Sequence, residues 1–138
     1  MAIRSTNRVG GRPTCDVINS PVKGATAIDQ GNMVCLDASG RAVQAADATL
    51  NLKPVGRAKT SVNNTGADGA LRIDSEPGNY VLENSTAGDA ITEADVLNDC
   101  YLAGPAKVAK TSASNTRSVA GKILGLESGG VIVAIGPR

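Results

Sequence analysis

The sequence predicts an all-β domain: a small β-barrel or sandwich built from two similar β units, behind an extended N-terminal arm. Short apolar runs are parted by turn residues at spacings typical of all-β domains. A strand–turn–strand pattern occurs once in the first half of the chain and again in the second. The stretches with helical character are too short for more than one or two turns.

The repeated unit is clearest in residues 27–43, AIDQGNMVCLDASGRAV. Val34 and Leu36 lead into Asp-Ala-Ser-Gly at 37–40, whose Asp, Ser and Gly suit a reversing backbone, and Ala42 and Val43 lead out. The order returns 63 to 65 residues later as Ala90 and Ile91, Cys100 to Leu102, Gly104 and Pro105, then Val108 and Ala109. Pro54-Val55-Gly56-Arg57 is echoed by Ser118-Val119-Ala120-Gly121-Lys122, and Leu71-Arg72-Ile73 by Val131-Ile132-Val133. The expectation is one domain over residues 21–138, with pseudo-repeats at about 27–74 and 90–136.

Taken in order, residues 1–20 hold Gly10, Gly11 and Pro13 and show neither strand nor helix period. They read as an arm, either a loose tail or a segment that orders on a partner. Strands are predicted near 16–19, 32–37, 41–45, 54–60, 70–74, 79–83, 100–103, 106–110, 118–126 and 130–136. Breaks fall at 37–40, 63–69, 76–78, 104–105, 112–115 and 128–130. The firmest unit is the hairpin over 122–135, where Lys122 to Leu126 and Val131 to Ile135 flank Glu-Ser-Gly-Gly. Residues 45–52 (AADATLNL) are Ala-rich but are stopped by Lys53-Pro54. Residues 92–97 open with Thr92 and carry Glu93 and Asp95, which suits a single helical or 3₁₀ turn.

Composition narrows the function. The 138 residues include two Tyr but no Phe and no Trp, so Val, Ile, Leu and Ala must build the core. Aromatics normally bury about 150–250 Å² each, and a core without them gains from further interfaces. A homo-oligomer follows as an expectation, with a trimer preferred to a dimer. Arg4, Arg8, Arg12 and Lys23 oppose only Asp16 within residues 1–24, whereas acids gather in the second half. A basic arm on a mildly acidic body suits docking on a protein surface. It lacks the basic patch or stacking aromatics of a nucleic-acid binder. The surfaces expected to meet a partner are the arm and the loops 61–69 and 84–99, which read as polar, long and least committed to a core.

Cys15, Cys35 and Cys100 are far apart and odd in number, which argues against a disulfide framework or a zinc site. Cys35 and Cys100 sit at matching places in the two units and read as small buried hydrophobes. No segment has the roughly 18 apolar residues of a membrane span, and the N-terminus lacks a secretory apolar stretch. The chain is expected to be made in a reducing cytoplasm, so the N-x-T matches at Asn63 and Asn84 carry no weight. With no His and no nucleophile, phosphate or dinucleotide motif, an enzyme is not expected. Asp29, Asp37, Asp95 and Asp99 read as solvated turn acids, with no calcium-loop ladder. No cofactor and no metal are called for.

The stretches that carry the echo also carry a resemblance. Residues 29–43 followed by Lys53-Pro54-Val55-Gly56 resemble the G-D-x-V-x-L-D-x-x-G-K-V … P-V-G pattern of the capsid cement, or decoration, proteins of tailed phage heads. Gly88-Asp89 to Thr92, Cys100-Tyr101, Lys107 to Thr111, Arg117-Ser118-Val119-Ala120-Gly121 and Gly130 to Ile135 are similar to the second half of such proteins. The match covers roughly residues 22–136, and the order of its short motifs is its strength. Two places depart from it: Ile132 stands where an aromatic is common, and Gly104-Pro105-Ala106 replaces a more acidic turn. The resemblance implies a virion protein that binds the major capsid protein on the head exterior at capsomer junctions and holds the shell against internal DNA pressure. It implies no active site. Arg4, Arg8 and Arg12 would pair with shell carboxylates, the arm adding main-chain contacts. Another phage structural β protein, of the minor head, tail or fibre, is the alternative.

Overall fold

The computed structural model describes residues 17–137. Arg4, Arg8, Arg12 and Cys15 lie outside the described residues, and so does the arm except for its last four positions. Those positions belong to the domain, because a strand already begins at Ile18. The strands are β1 (Ile18–Pro21), β2 (Thr26–Ile28), β3 (Met33–Leu36), β4 (Ala42–Gln44), β5 (Lys53–Ala58), β6 (Val62–Asn64) and β7 (Arg72–Glu76). They continue with β8 (Gly78–Leu82), β9 (Asp99–Gly104), β10 (Lys107–Ala109), β11 (Val119–Glu127) and β12 (Gly130–Ile135). Two 3₁₀ turns, Ala87–Asp89 and Glu93–Asp95, complete the order.

The all-β class is what the fold has. One five-stranded sheet runs β1-β7-β5-β3-β4 and the other β8-β12-β11-β9-β10, while β2 and β6 form a small third sheet. The two large sheets follow the same path. In each, an opening strand pairs with the closing strand, which pairs with the middle strand directly or at its end, and a hairpin flanks the middle strand. The units differ between the opening strand and the hairpin. The first has β2 there, and the second has the two 3₁₀ turns.

The shared path has a shared distortion. Cys35 pairs with Pro54 and Val34 with Gly56, so Val55 is an extra residue on β5. Cys100 pairs with Gly121 and Tyr101 with Val119, so Ala120 is the extra residue on β11. Both bulged residues are buried, and a bulge of this kind bends and twists its strand. The glycine that follows each one lies tight against backbone, Gly56 on Glu76 and Gly121 on the Ala134 carbonyl. A Cβ at either place would enter that backbone.

The curl does not go to completion. The edges of each sheet meet at one parallel bridge, Val22 with Ala42 and Glu83 with Lys107. The barrel alternative is therefore corrected: among the described residues the sheets curl but no barrel is closed. The edge strands β4 and β10 have three residues each, too short for a ladder across the gap.

Strand alternation builds two cores. Val34 faces Val22, Ile28, Ala42, Val55, Ala58 and Ile73, all within the first unit. Its neighbours Met33 and Cys35 point the other way and join Leu102, Val108, Ile123, Val131, Val133 and Ile135 of the second unit. Strand β3 thus serves both cores and joins the units into one body.

Several local expectations change. Residues 45–52 are not helical. Ala48 and Asn51 take φ of 53° and 65°, and backbone groups of Thr49 and Leu52 bond to Ser118 instead of to one another. The turn expected at 92–97 is the 3₁₀ turn Glu93–Asp95, closed by a reciprocal capping box between Thr92 and Asp95. Strands β2 and β6 were not foreseen, being three residues each and partly polar. The loops 61–69 and 84–99 are more committed to the interior than their polarity suggests. Asn64 is 1% exposed, and its amide donates to the carbonyls of Val22, Lys23 and Ala67 while its oxygen accepts from Gly66 N–H. Ile91 is buried in the larger core, its backbone held on both sides by the Asn84 amide.

Candidate interaction surfaces

The densest polar cluster joins the two units. Arg117, just before β11, donates from Nε to Asp47 at 2.7 Å and from Nη1 to Asp89 at 2.8 Å. Nη1 also donates to the Thr111 carbonyl at 3.1 Å. The Asp47 carboxyl is held below the usual carboxylate range mainly by its hydrogen bond from Arg117. Asp89 is held low first by the Thr111 hydroxyl and then by Arg117, and Arg117 is correspondingly raised. Beside it, the Ser118 hydroxyl donates to the Thr49 carbonyl at 2.7 Å and accepts from Leu52 N–H at 3.0 Å. The cluster spends its charge internally and fixes loop 45–52 of the first unit on the second.

Asp37 does similar work in the β3–β4 turn, accepting from the N–H groups of Ser39 and Arg41. Those bonds, led by Arg41, lower its carboxyl. Asp37 and Asp95 are thus turn and cap residues. Asp29 exposes its carboxyl while its N–H donates to Gln44, and Asp99 pairs with Lys122 at 3.4 Å. No group of three or more His, Cys, Asp or Glu placed to hold a metal occurs among the described residues. Burial pushes the Cys35 and Cys100 thiols up to about 12, which leaves them protonated and unreactive at neutral pH.

Of the grooves open to solvent among the described residues, two flank these elements. One, of about 410 Å³, lies between the β3–β4 turn and loop 45–52, with Lys23, Asp37, Val43, Leu50 and Leu52 on its walls. The other, of about 310 Å³, lies where the units meet, bounded by Met33, Arg57, Tyr80, Val81 and Ala106. There the Arg57 guanidinium sits 5.1 Å from the centre of the Tyr80 ring.

The outward faces of the two large sheets are unlike. On β1 and β7 the outward residues form a polar network, with Asn19 bonded to both Asp74 and Arg72. On the second sheet Val81 of β8 pairs with Ile132 of β12, which pairs with Gly125 of β11, and Leu124 is the extra residue of that bulge. The β9–β11 pairing continues past Lys122 and Asp99, since Leu97 N–H donates to the Ile123 carbonyl and Ile123 N–H to the Asn98 carbonyl. Leu97 and Asn98 therefore both stand against Ile123, next to Leu124. Val81, Ile132 and Leu124 form an apolar stripe across β8, β12 and β11 that Leu97, in the turn before β9, extends, and Val81 and Leu97 are 51% and 64% exposed. Leu97 also takes φ of 74°, uncommon for a residue with a branched side chain. The apolar run was legible in the sequence, but its exposure was not, because the bulge at Leu124 turns what reads as core strand outward. No protein-family model, curated protein or solved structure matches this chain.

Proposed function

We propose that this chain is a non-enzymatic cement protein of a tailed-phage head. It binds the exterior of the icosahedral shell at capsomer junctions and stabilises the shell against internal DNA pressure. One observation carries the reading: the residues behind the resemblance shape and join the two sheets. Asp89, Arg117 and Ser118 fix the first unit on the second, and Val55-Gly56 and Ala120-Gly121 make the paired bulges. The short motifs therefore coincide with determinants of the fold, in order along the chain, rather than with an arbitrary scatter of turns.

The partner is the major capsid protein, with Arg4, Arg8 and Arg12 of the arm paired to its carboxylates, and the chain acts as a homo-oligomer, preferably a trimer. Many copies on one shell make weak single contacts collectively strong. No helix among the described residues is long and apolar enough to cross a membrane. The test is to mix the purified chain with undecorated mature heads, pellet them and count bound copies. Saturation at hundreds of copies, with heads made more heat-resistant, is expected, and deletion of residues 2–14 should abolish it. A handful of copies would instead place the chain at the tail or a minor head position, and no binding would refute the reading.

A further inference from the structure

The apolar stripe on the second sheet has a charged surround that identifies what covers it. Glu83 follows Val81 on the same face of β8, and Glu127 follows Leu124 and Gly125 on the same face of β11. At the other end Glu93 and Asp95 lie in the 3₁₀ turn that packs on β11 beside Leu97. None of these four carboxylates has a cationic partner among the described residues; the ion pairs there are Arg41–Asp68, Arg117–Asp47, Arg117–Asp89 and Lys122–Asp99. The surface is therefore apolar at its centre and acidic at both ends; of its cations, Lys122 is already paired across to Asp99, and Lys107 stands beside Glu83 across a single parallel bridge.

The chain carries the complement of that surface outside the described residues. Residues 1–16 hold Arg4, Arg8 and Arg12 against the single Asp16, with Ile3 and Val9 between and beside the arginines. In an extended chain Ile3 and Val9 fall on one face, with Arg4 and Arg8 on the other, long enough to bend to a rim. The stripe spans three interstrand steps, about 14 Å. Sixteen extended residues reach about 50 Å, well beyond the roughly 14 Å radius of gyration of a domain this size. The segment starts from β1, an edge strand of the first sheet.

We propose that residues 1–16 of this chain seat across the stripe of Val81, Ile132, Leu124 and Leu97, with Val9 on the apolar centre and the arginines on Glu83, Glu93, Asp95 and Glu127. The inference goes beyond the capsid reading and holds for the protein in the absence of any shell. Shell carboxylates would then compete for the same arginines. Burying the stripe covers Val81 and Leu97, the most exposed large apolar side chains on that side of the described residues.

The test uses the full chain with a photoreactive benzophenone amino acid at Val9. After illumination and proteolysis, cross-links to peptides containing Leu97, Leu124 or Val81 are expected. Cross-links only elsewhere, or none, would overturn it. Glu93→Lys combined with Glu127→Lys, at two exposed positions, should cut the yield about fivefold, as should 0.5 M salt, roughly the screening loss of two surface ion pairs. A yield indifferent to both changes would also overturn it.

Discussion

Replacing Arg117 by Ala tests whether the two units are held together as the geometry indicates. The side chain is 12% exposed and faces Asp47, 48% exposed, and Asp89, 28% exposed. An exposed ion pair contributes about 0.2–1 kcal/mol, so the Asp47 contact belongs toward the lower end and the more sheltered Asp89 contact at the upper. The Thr111 carbonyl loses a charged donor, and the guanidinium stem loses packing. Together the cost is about 2 kcal/mol, which for a domain of this size lowers Tm by about 6–10 °C. The pH dependence has a definite sign. Asp47 and Asp89 have depressed folded-state values, so their stabilisation is full above the unfolded carboxylate pKa of about 4 and is lost as pH falls through the folded values. The Tm gap between wild type and Arg117→Ala, followed by circular dichroism from pH 7 to pH 2, should shrink at the acid end to the part that the Thr111 bond and stem packing contribute. Arg41→Ala is the control, because its 3.5 Å pair with Asp68 is exposed on both sides and should cost under about 0.5 kcal/mol. A Tm loss below about 1 °C for Arg117→Ala, or a gap that persists undiminished at low pH, would refute the junction.

Gly121→Ala should destabilise by about 3 kcal/mol or more, because the new methyl meets the Ala134 carbonyl. Gly125→Ala, four residues on, meets only the tip of Ile132 at 3.9 Å and should change the denaturant midpoint little. Val133→Asp places a carboxylate at a fully buried position of β12 and should prevent folding; a soluble variant with a cooperative melt would remove that strand from the core. In a Cys15→Ser background, Cys35 and Cys100 should resist a thiol reagent at pH 8 until denaturant is added, since thiols near 12 are about 0.01% ionised there. Modification within minutes in native buffer would contradict their burial.

The fold class was legible because its signals are local. The Asp37 turn, the Thr92 cap and the 122–135 hairpin each draw on neighbouring residues, and each was read correctly. The echo of Val55-Gly56 in Ala120-Gly121 was visible as a pattern, but its cause is tertiary: a glycine is needed where the middle strand passes close to the closing strand. What failed also failed for tertiary reasons. AADATLNL at 45–52 has helical composition, yet Ser118, 66 residues beyond Leu52, takes its backbone bonds. Asn64 looked like loop polarity and is a buried anchor, since an amide that makes four hydrogen bonds reads in sequence like one that faces water. Arg117, the centre of the junction, was read only as part of a motif, because its partners Asp47 and Asp89 lie 70 and 28 residues away.

The contrast between the two outward faces follows from what each unit must keep. The bulge, the close-packed glycine and the buried Cys35 or Cys100 are dictated by the curl of the sheet, so both units have them. Nothing about the curl dictates what points outward. The first unit uses that freedom on β1 and β7 for the Asn19, Asp74 and Arg72 network, which satisfies itself. The second leaves Val81 and Leu97 in water, although a polar pair such as Lys122 and Asp99 on the adjacent step shows that the same face accepts charge. Exposed leucine and valine in a protein with no Phe or Trp to spare for its core are apolar area withheld from folding. Such area is accounted for when another segment or molecule covers it, and the second sheet is therefore where contact is to be sought.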